Sequence, residues 1–302
     1  MKAIKLILTA VVFATAITIH ALPAHNTTQV QGHLNGDKRL RTISGSIERT
    51  TKVINYGKGS SVTTVDIPGT SLLAAAHGEA KVERKQNHLE IEAEFDGLQA
   101  ATRFGPEYLT YVIWTISAEG WATNLGEVVL DGMKSKFNVT TDLASFGLIV
   151  TAEPYFAVSQ PSEVVVMENV VRTDSIRNEA TDVKYELLPR GSYTLNIADS
   201  ELKPIVMDSR TPLDLYEARN ALWIALWAGA DKDAAELFVK AVRLLQRAEA
   251  FHASRAGAKP VLSAARETVQ TAESARVLAL KRRSAARVSQ HNAIGRGSTI
   301  GV

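Results

Sequence analysis

Tyr111-Val112-Ile113-Trp114-Thr115-Ile116 is a short run of apolar and β-branched residues, followed by turn-forming residues at Glu119-Gly120. A strand with one face in water alternates between apolar and polar residues, whereas this run is apolar almost throughout. The run therefore predicts a β-strand that is buried on both faces. Neighbouring segments do alternate, so we expect them to form the layers that cover it.

The clearest alternation lies on either side of the turn Gln86-Asn87-His88. Residues 76–83 place small or apolar side chains at every second position, with charged residues or histidine between them. Residues 89–95 repeat the pattern with glutamates between the apolar positions. Two alternating segments joined by a short polar turn predict an antiparallel hairpin.

Further short candidate strands follow at regular spacing, without a helical period between them. They are 41–55, 62–67, 125–130, 136–140, 146–152, 164–168, 183–187 and 193–197. Asp131-Gly132 and Pro189-Arg190-Gly191 predict hairpin turns between consecutive strands. The pattern predicts an all-β, immunoglobulin-like antiparallel sandwich over residues 41–200.

The period changes from two to about 3.6 residues after a predicted linker at 201–210. Thr211-Pro212-Leu213-Asp214 combines a capping hydroxyl, a proline at the first helical position and an acid in the first turn. Breaks at Gly229-Ala230-Asp231 and at 257–260 divide residues 211–290 into three helices. Seams of small and apolar residues, such as that from Ala234 to Phe251, predict an α-helical hairpin or three-helix bundle, with self-association as one use of such a seam.

The first residues have the pattern of a secretory signal peptide. Lys2 and Lys5 precede an uncharged run over 6–19, and cleavage is expected near Ala21 or Ala24. The run is shorter than the roughly 20 residues that cross a bilayer, so we expect removal, with a retained anchor as the alternative. Residues 1–24 are therefore predicted to direct the chain to the periplasm or the exterior, and residues 25–40 to form a flexible lead. Residues 291–302 are predicted to be a disordered basic tail.

Composition limits the chemistry of the chain. It has 302 residues, a formal net charge of +2 and no cysteine. The absence of cysteine excludes disulfides, thiol nucleophiles and thiolate metal sites. The histidines show no metal-ligand spacing, and Gly57-Lys58-Gly59-Ser60-Ser61 lacks the spacing of a phosphate loop. We therefore expect no enzyme activity, no catalytic residue and no cofactor.

Three glutamates line one face of a predicted strand. Glu90, Glu92 and Glu94 offer carboxylate oxygens of the kind that calcium prefers. Lys81 and Arg84 across the turn favour a solvated, charge-balanced face instead. We therefore predict no metal site.

Two features are candidates for an interaction surface. Trp223 and Trp227 are one helical turn apart, a spacing that fits packing within the protein or on a second copy, or a glycan or membrane-interface patch. Beyond Glu273 the chain has basic residues and no acids. The basic residues predicted to belong to an interaction surface are Lys281, Arg282, Arg283 and Arg287. They fit either a helix end favoured by the helix dipole or a surface for anionic envelope polymers or lipid headgroups.

Residues 103–170 resemble the periplasmic domain of anti-sigma-K-type regulators. The residues that carry the resemblance are Tyr111-x-x-Trp114, Glu119-Gly120, Leu125-Gly126, Leu148 to Thr151, Glu153-Pro154 and Pro161. The resemblance implies an immunoglobulin-like sandwich. It does not extend to the cytoplasmic sigma-binding region or the membrane span of that family.

Residues 212–287 resemble an uncharacterised helical domain of bacterial envelope proteins, some of which continue into an outer-membrane-protein-A-like peptidoglycan-binding domain. The resemblance rests on Gly229-Ala230-Asp231, Lys240-Ala241, Ala248-Glu249-Ala250 and Ala272-Glu273-x-Ala275-Arg276. No peptidoglycan-binding domain is expected after residue 302, so that activity is not implied for this chain.

These observations predict a non-enzymatic exported envelope protein, with the helical region as a spacer or association surface. The expected partners are an envelope protein or an anionic cell-wall polymer, with peripheral membrane contact or a second copy as further candidates. We expect no nucleic-acid partner, because the chain is predicted to be exported. The alternative is a periplasmic regulatory or sensory module that acts through a membrane partner, and a hydrolase with an unrecognised site stays open because sandwiches host many activities.

Overall fold

A computed structural model describes residues 46–57, 61–171, 179–195, 197 and 202–297. These residues belong to one compact unit, 41–302. The predicted signal peptide, the predicted flexible lead and residues 298–302 of the predicted tail lie outside the described residues.

Ten strands precede four helices in this part of the chain. The strands are β1 (Ile47–Asn55), β2 (Val62–Asp66), β3 (His77–Arg84), β4 (Leu89–Asp96), β5 (Thr110–Ser117), β6 (Ala122–Glu127), β7 (Ser135–Thr141), β8 (Ser145–Glu153), β9 (Val165–Glu168) and β10 (Ala180–Leu187). A 3₁₀ turn covers Ala101–Phe104. The helices are α1 (Leu213–Trp227), α2 (Ala230–Asp233), α3 (Ala235–Ala253) and α4 (Ala258–Gly297).

The strands form two antiparallel sheets. Sheet A has the order β10-β1-β8-β5-β6, and β9 also pairs with β8. Sheet B has the order β2-β3-β4-β7. The buried residues of both sheets and of the helices belong to one continuous hydrophobic core. The coarse prediction of antiparallel sheets followed by helices is therefore confirmed.

Strand β5 occupies the position that its sequence predicts. Every residue from Thr110 to Ser117 is buried, and β5 pairs with β6 on one side and β8 on the other. Trp114 lies opposite Ile149 of β8, and its indole N–H donates to the hydroxyl of Thr151 at 2.8 Å. The hydrogen bond satisfies the one polar atom of a side chain that is otherwise wholly apolar.

The predicted hairpin of β3 and β4 is confirmed, with Val82 opposite Ile91. The hairpin predicted at Asp131-Gly132 is wrong. This turn connects β6 of sheet A to β7 of sheet B, so it carries the chain between the sheets. Glycine is suited to the turn because Gly132 has φ +63°.

The hairpin predicted around Pro189-Arg190-Gly191 is also wrong. Strand β10 pairs with β1, and residues 191–195 form turns. Tyr193 is buried, and its hydroxyl donates to Glu153 at 2.9 Å. This tertiary contact overrides the strand preference of the segment.

The helical region has one element more than predicted, because the four-residue α2 follows Gly229. Thr211 does not cap α1: its hydroxyl donates to Asp208, and the helix begins at Leu213, after Pro212. Helix α4 continues to Gly297, beyond the predicted boundary at residue 290. No glycine or proline interrupts it between residues 290 and 294.

Candidate functional site

Three polar clusters lie where the helices meet one end of sheet A. Strand β5 begins at this end and β6 and β8 finish there, since Thr110 pairs with Glu153 and Val112 with Glu127. We call Thr110, Glu127 and Glu153 the docking end. Helix α1 contacts the adjoining chain segments through Asn220, whose amide donates to the carbonyl oxygens of Glu107 at 2.8 Å and Pro154 at 3.1 Å.

The first cluster is a buried ion pair within α4. Nε and Nη2 of Arg276 donate to the two carboxylate oxygens of Glu273 at 2.6 and 2.8 Å. The same carboxylate accepts from the Tyr155 hydroxyl at 2.7 Å and from the backbone and hydroxyl of Ser159 at 3.0 and 2.7 Å. Every strong acceptor position of this buried carboxylate is therefore occupied. The hydrogen bonds from Tyr155 and Ser159 join α4 to the segment that follows β8.

Glu273 and Arg276 each stabilise the ionised form of the other. Burial alone would raise the pKa of Glu273, but the charge and hydrogen bonds of Arg276, with those of Ser159 and Tyr155, lower it. Burial acts to lower the pKa of Arg276, but the charge and hydrogen bonds of Glu273, together with Tyr155 and Tyr193, raise it. Both residues are therefore ionised although each is at most 5% exposed.

The second cluster surrounds Glu153, the last residue of β8. One carboxylate oxygen accepts from the Thr151 hydroxyl at 2.6 Å and the Ser162 backbone N–H at 2.7 Å, and the other accepts from Tyr193. Burial raises the pKa of Glu153 to about 7, even though these hydrogen bonds act in the opposite direction. The Arg276 guanidinium lies 5.4 Å from the centre of the Tyr193 ring, so the first two clusters are in contact.

The third cluster contains three acids and one base. Nη1 of Arg266 in α4 donates to Glu127 at 3.1 Å and to Asp214 at 2.9 Å. The Thr110 hydroxyl donates to the other oxygen of Glu127 at 2.9 Å. Burial raises the pKa of Glu127 despite these bonds. Sheet A, α1 and α4 are therefore joined by polar contacts at one point.

Glu217, one turn after Asp214, completes the third cluster. Its side chain is fully buried, and neither carboxylate oxygen accepts a well-formed hydrogen bond. The backbone N–H of Phe156 lies close enough to favour the ionised form, but burial and the charges of Glu127 and Asp214 raise the pKa of Glu217. Each of the three acids has a carboxylate oxygen within 4.8 Å of the others, a separation at which they could hold a metal ion.

The first two clusters are suited to positioning elements. Glu153, Glu273 and Arg276 are buried. The Glu273–Arg276 pair joins α4 to the segment after β8, and Glu153 holds that segment and Tyr193 at the end of sheet A. Two surface grooves lie elsewhere: one is lined by residues that include Arg84 and His88, the other by residues that include Arg49 and Glu168. Neither groove includes a glutamate of the docking end.

The two predicted tryptophans lie side by side on α1. Their ring centres are 6.3 Å apart, with the rings stacked, and both side chains are half-buried. Trp227 packs against the core. The pair therefore combines an internal packing role with a remaining exposed edge, and its role as an interaction surface stays a prediction.

The four predicted basic residues differ in their surroundings. Arg282 donates to the backbone carbonyl of Asp233 at 2.7 Å, and Nε of Arg283 pairs with the Asp233 carboxylate at 2.5 Å. These two arginines hold α2 against α4. Lys281 and Arg287 are exposed on the same helix.

Sequence reasoning treated Glu153-Pro154 and Ala272-Glu273-x-Ala275-Arg276 as marks of resemblance and assigned their charged residues no contact. A signal was present in the second: an acid and an arginine three residues apart flank small residues on the buried seam of α4. Asp214 and Glu217 also have this spacing. Their approach to Glu127 depends on the packing of α1 against sheet A, which spacing does not reveal.

No family model, no curated protein and no solved structure matches this chain. Within the described ranges, no helix has both the length and the apolar character needed to cross a membrane.

Proposed function

We propose that this chain is an exported, non-enzymatic protein of the cell envelope that acts as a scaffold or spacer. The observation that supports this function is the attachment of α4 to the segment after β8, where Tyr155 and Ser159 donate to the buried Glu273–Arg276 pair. Among the described side chains, Ala279 is the last buried one of α4. The helix continues to Gly297, about 27 Å further at 1.5 Å per residue. A firmly held helix whose residues 285–290 are exposed is suited to contact a partner at a fixed distance from the sheets.

The proposed partner is an envelope protein or an anionic cell-wall polymer, with peripheral membrane contact or a second copy of the chain as alternatives. Lys281 and Arg287 give the exposed part of α4 a positive charge, which favours an anionic partner. Export is proposed from the signal-peptide pattern, with cleavage near Ala21 or Ala24 and release into the periplasm or the exterior.

The immunoglobulin-like type of the sandwich is also part of this proposal. It is supported by two antiparallel sheets over one core, together with the resemblance of residues 103–170 to anti-sigma-K-type regulators. The same resemblance favours a second function, that of a periplasmic regulatory module acting through a membrane partner.

Photo-crosslinking in intact host cells tests the proposed function. A photoreactive amino acid replaces Val288, which is 59% exposed on α4. A matched variant carries it at Glu92 on β4, whose side chain is 53% exposed. We expect position 288 to crosslink to an envelope component and position 92 not to do so.

The identity of the product decides between the alternatives. Cell-wall material or an outer-membrane protein supports the scaffold, and a dimer supports association through α4. An inner-membrane regulator supports the regulatory module. Equal crosslinking from both positions, or recovery of uncleaved protein from the cytoplasm, would contradict the proposed function.

A further inference from the structure

The Glu127, Asp214 and Glu217 side chains bring three carboxylates together where β6 meets the first turns of α1. An oxygen from each lies within 4.8 Å of the other two. Acidic residues often lie near one another on a protein surface without binding an ion, so proximity alone does not indicate a site. The feature that distinguishes this cluster is the state of Glu217.

Glu217 is a fully buried carboxylate whose two oxygens accept no well-formed hydrogen bond. Leaving such a group without a partner is costly, and most buried polar atoms in folded proteins are paired. Because one of its oxygens faces those of Glu127 and Asp214, the missing partner belongs between the three carboxylates.

Among the described residues, the cation that bonds to this cluster is Arg266, and it does not supply that partner. Nη1 of Arg266 bonds to Glu127 and Asp214, and the guanidinium stacks on the Phe156 ring at 3.8 Å. When all three carboxylates are ionised, as ligands of a cation would be, they exceed the single positive charge of Arg266 by two. A divalent cation would balance this excess, and carboxylate oxygens are the ligands that hard cations prefer.

We propose that Glu127, Asp214 and Glu217 bind one divalent cation of the size of Ca²⁺, which joins sheet A to α1. Ca²⁺ accepts several protein carboxylates in a flexible arrangement, whereas Mg²⁺ demands near-ideal octahedral geometry and usually keeps several waters. Three protein carboxylates that converge within 4.8 Å of one another therefore suit Ca²⁺ better. Water would complete the coordination, because three carboxylates supply fewer than the six to eight oxygens that Ca²⁺ takes.

The ion would enter from the side of Arg266, whose side chain is 39% exposed, whereas that of Glu127 is 5% exposed. The site does not depend on the envelope function proposed above, since it follows from the contact between sheet and helices alone.

Calorimetric titration of the chelator-treated full chain tests the proposal, with Ca²⁺, Mg²⁺ and Mn²⁺ as separate titrants. We expect one Ca²⁺ per chain, weaker binding of Mg²⁺, and a melting temperature that rises with Ca²⁺ concentration, since an ion that binds only the folded state stabilises it. Glu217→Gln keeps the shape of the side chain and removes its charge. It should weaken Ca²⁺ binding by at least about tenfold, because even outer-shell changes at metal sites cost this much.

Glu153→Gln is the matched control, since Glu153 is equally buried but belongs to the second cluster. It should bind Ca²⁺ as the unchanged protein does. Circular dichroism establishes that both variants are folded, and Asp214→Asn replaces Glu217→Gln if the latter is not. The proposal is overturned if the unchanged protein binds no Ca²⁺, if Mg²⁺ binds more tightly, or if a folded Glu217→Gln or Asp214→Asn variant binds Ca²⁺ as tightly as the control.

Discussion

Glu273 and Arg276 show how a single helical turn can fix the position of a long helix. Removing two charges from water is unfavourable unless each finds enough partners in the protein. Here Arg276 satisfies one side of the carboxylate, and Tyr155 and Ser159 satisfy the other from the segment after β8. The pair therefore holds α4 in place against the end of sheet A, and it also stabilises the protein locally.

Replacing Arg276 with methionine should lower the free energy of unfolding by about 3 kcal/mol, because it leaves Glu273 buried without its cation. Urea denaturation monitored by tryptophan fluorescence measures the change. Lys184→Met is the control: Lys184 pairs with Glu48 at 3.1 Å, but both side chains are well exposed, so the loss should be about 1 kcal/mol or less. Equal losses in the two variants would contradict the role assigned to the buried pair.

Glu153 should make stability depend on pH in a defined window. Its pKa is raised from 4.5 to about 7 in the folded protein, so the folded state holds a proton that the unfolded chain releases. The raised pKa of Glu153 therefore stabilises the folded state at low pH. This stabilisation, up to about 3 kcal/mol, is lost as the pH rises from about 4.5 to about 7. Glu153→Gln does not titrate there.

The free energy of unfolding of Glu153→Gln, compared with the unchanged protein at about pH 5 and about pH 8, measures this effect. The glutamine can still accept from Thr151 and donate to Tyr193, whose hydroxyl also lies 3.2 Å from the Gln160 carbonyl. The variant should gain stability relative to the unchanged protein as pH rises. A difference that is constant over the range would show that burial does not perturb Glu153.

At the scale of elements, the connection between α1 and α2 depends on one glycine. Gly229 has φ +80°, a conformation that side chains disfavour, and a Cβ atom there would collide with the Arg283 guanidinium. Gly257 has φ +92° but no atom near the corresponding position. Substitution of Gly257 by alanine therefore measures the cost of backbone strain alone. Substitution of Gly229 measures that cost together with the displacement of Arg283.

Gly257→Ala should lower the free energy of unfolding by about 1 kcal/mol through backbone strain alone. Gly229→Ala should lose about 0.5–1 kcal/mol more, because Arg283 must leave its half-exposed pair with Asp233. Thermal and urea unfolding of both variants provide the comparison. If Arg283→Ala abolishes the difference between them, the contact is its cause, and if the difference persists, the contact is not.

The elements also show which parts of the structure local sequence can predict. The buried strand β5, the hairpin of β3 and β4 and the main helices follow from the periodicity of apolar residues. The segment around Tyr193 does not, because its conformation depends on Glu153 and Arg276, which are distant in sequence. The third cluster was missed for the same reason: Glu127 is far from Asp214 and Glu217 along the chain, and only packing brings them together.

At the scale of the whole molecule, the sheets and the helices share one hydrophobic core, and the three polar clusters lie at their contact. The apolar side chains of α1 therefore lose part of their burial if the helices separate from the sheets. Elements joined in this way unfold together, since neither keeps its buried surface without the other.

The described residues should accordingly unfold in one cooperative transition. A variant with phenylalanine at Trp223 and Trp227 reports on the sheets through the fluorescence of Trp114 and Trp121, while far-ultraviolet circular dichroism reports mainly on the helices. The two curves should coincide in urea. Arg276→Met in the same background should shift both to lower urea by the same amount, although Arg276 belongs to α4. Loss of helical signal before any change in fluorescence would instead mean that the helices unfold independently, and the clusters at the docking end would then contribute little to holding them in place.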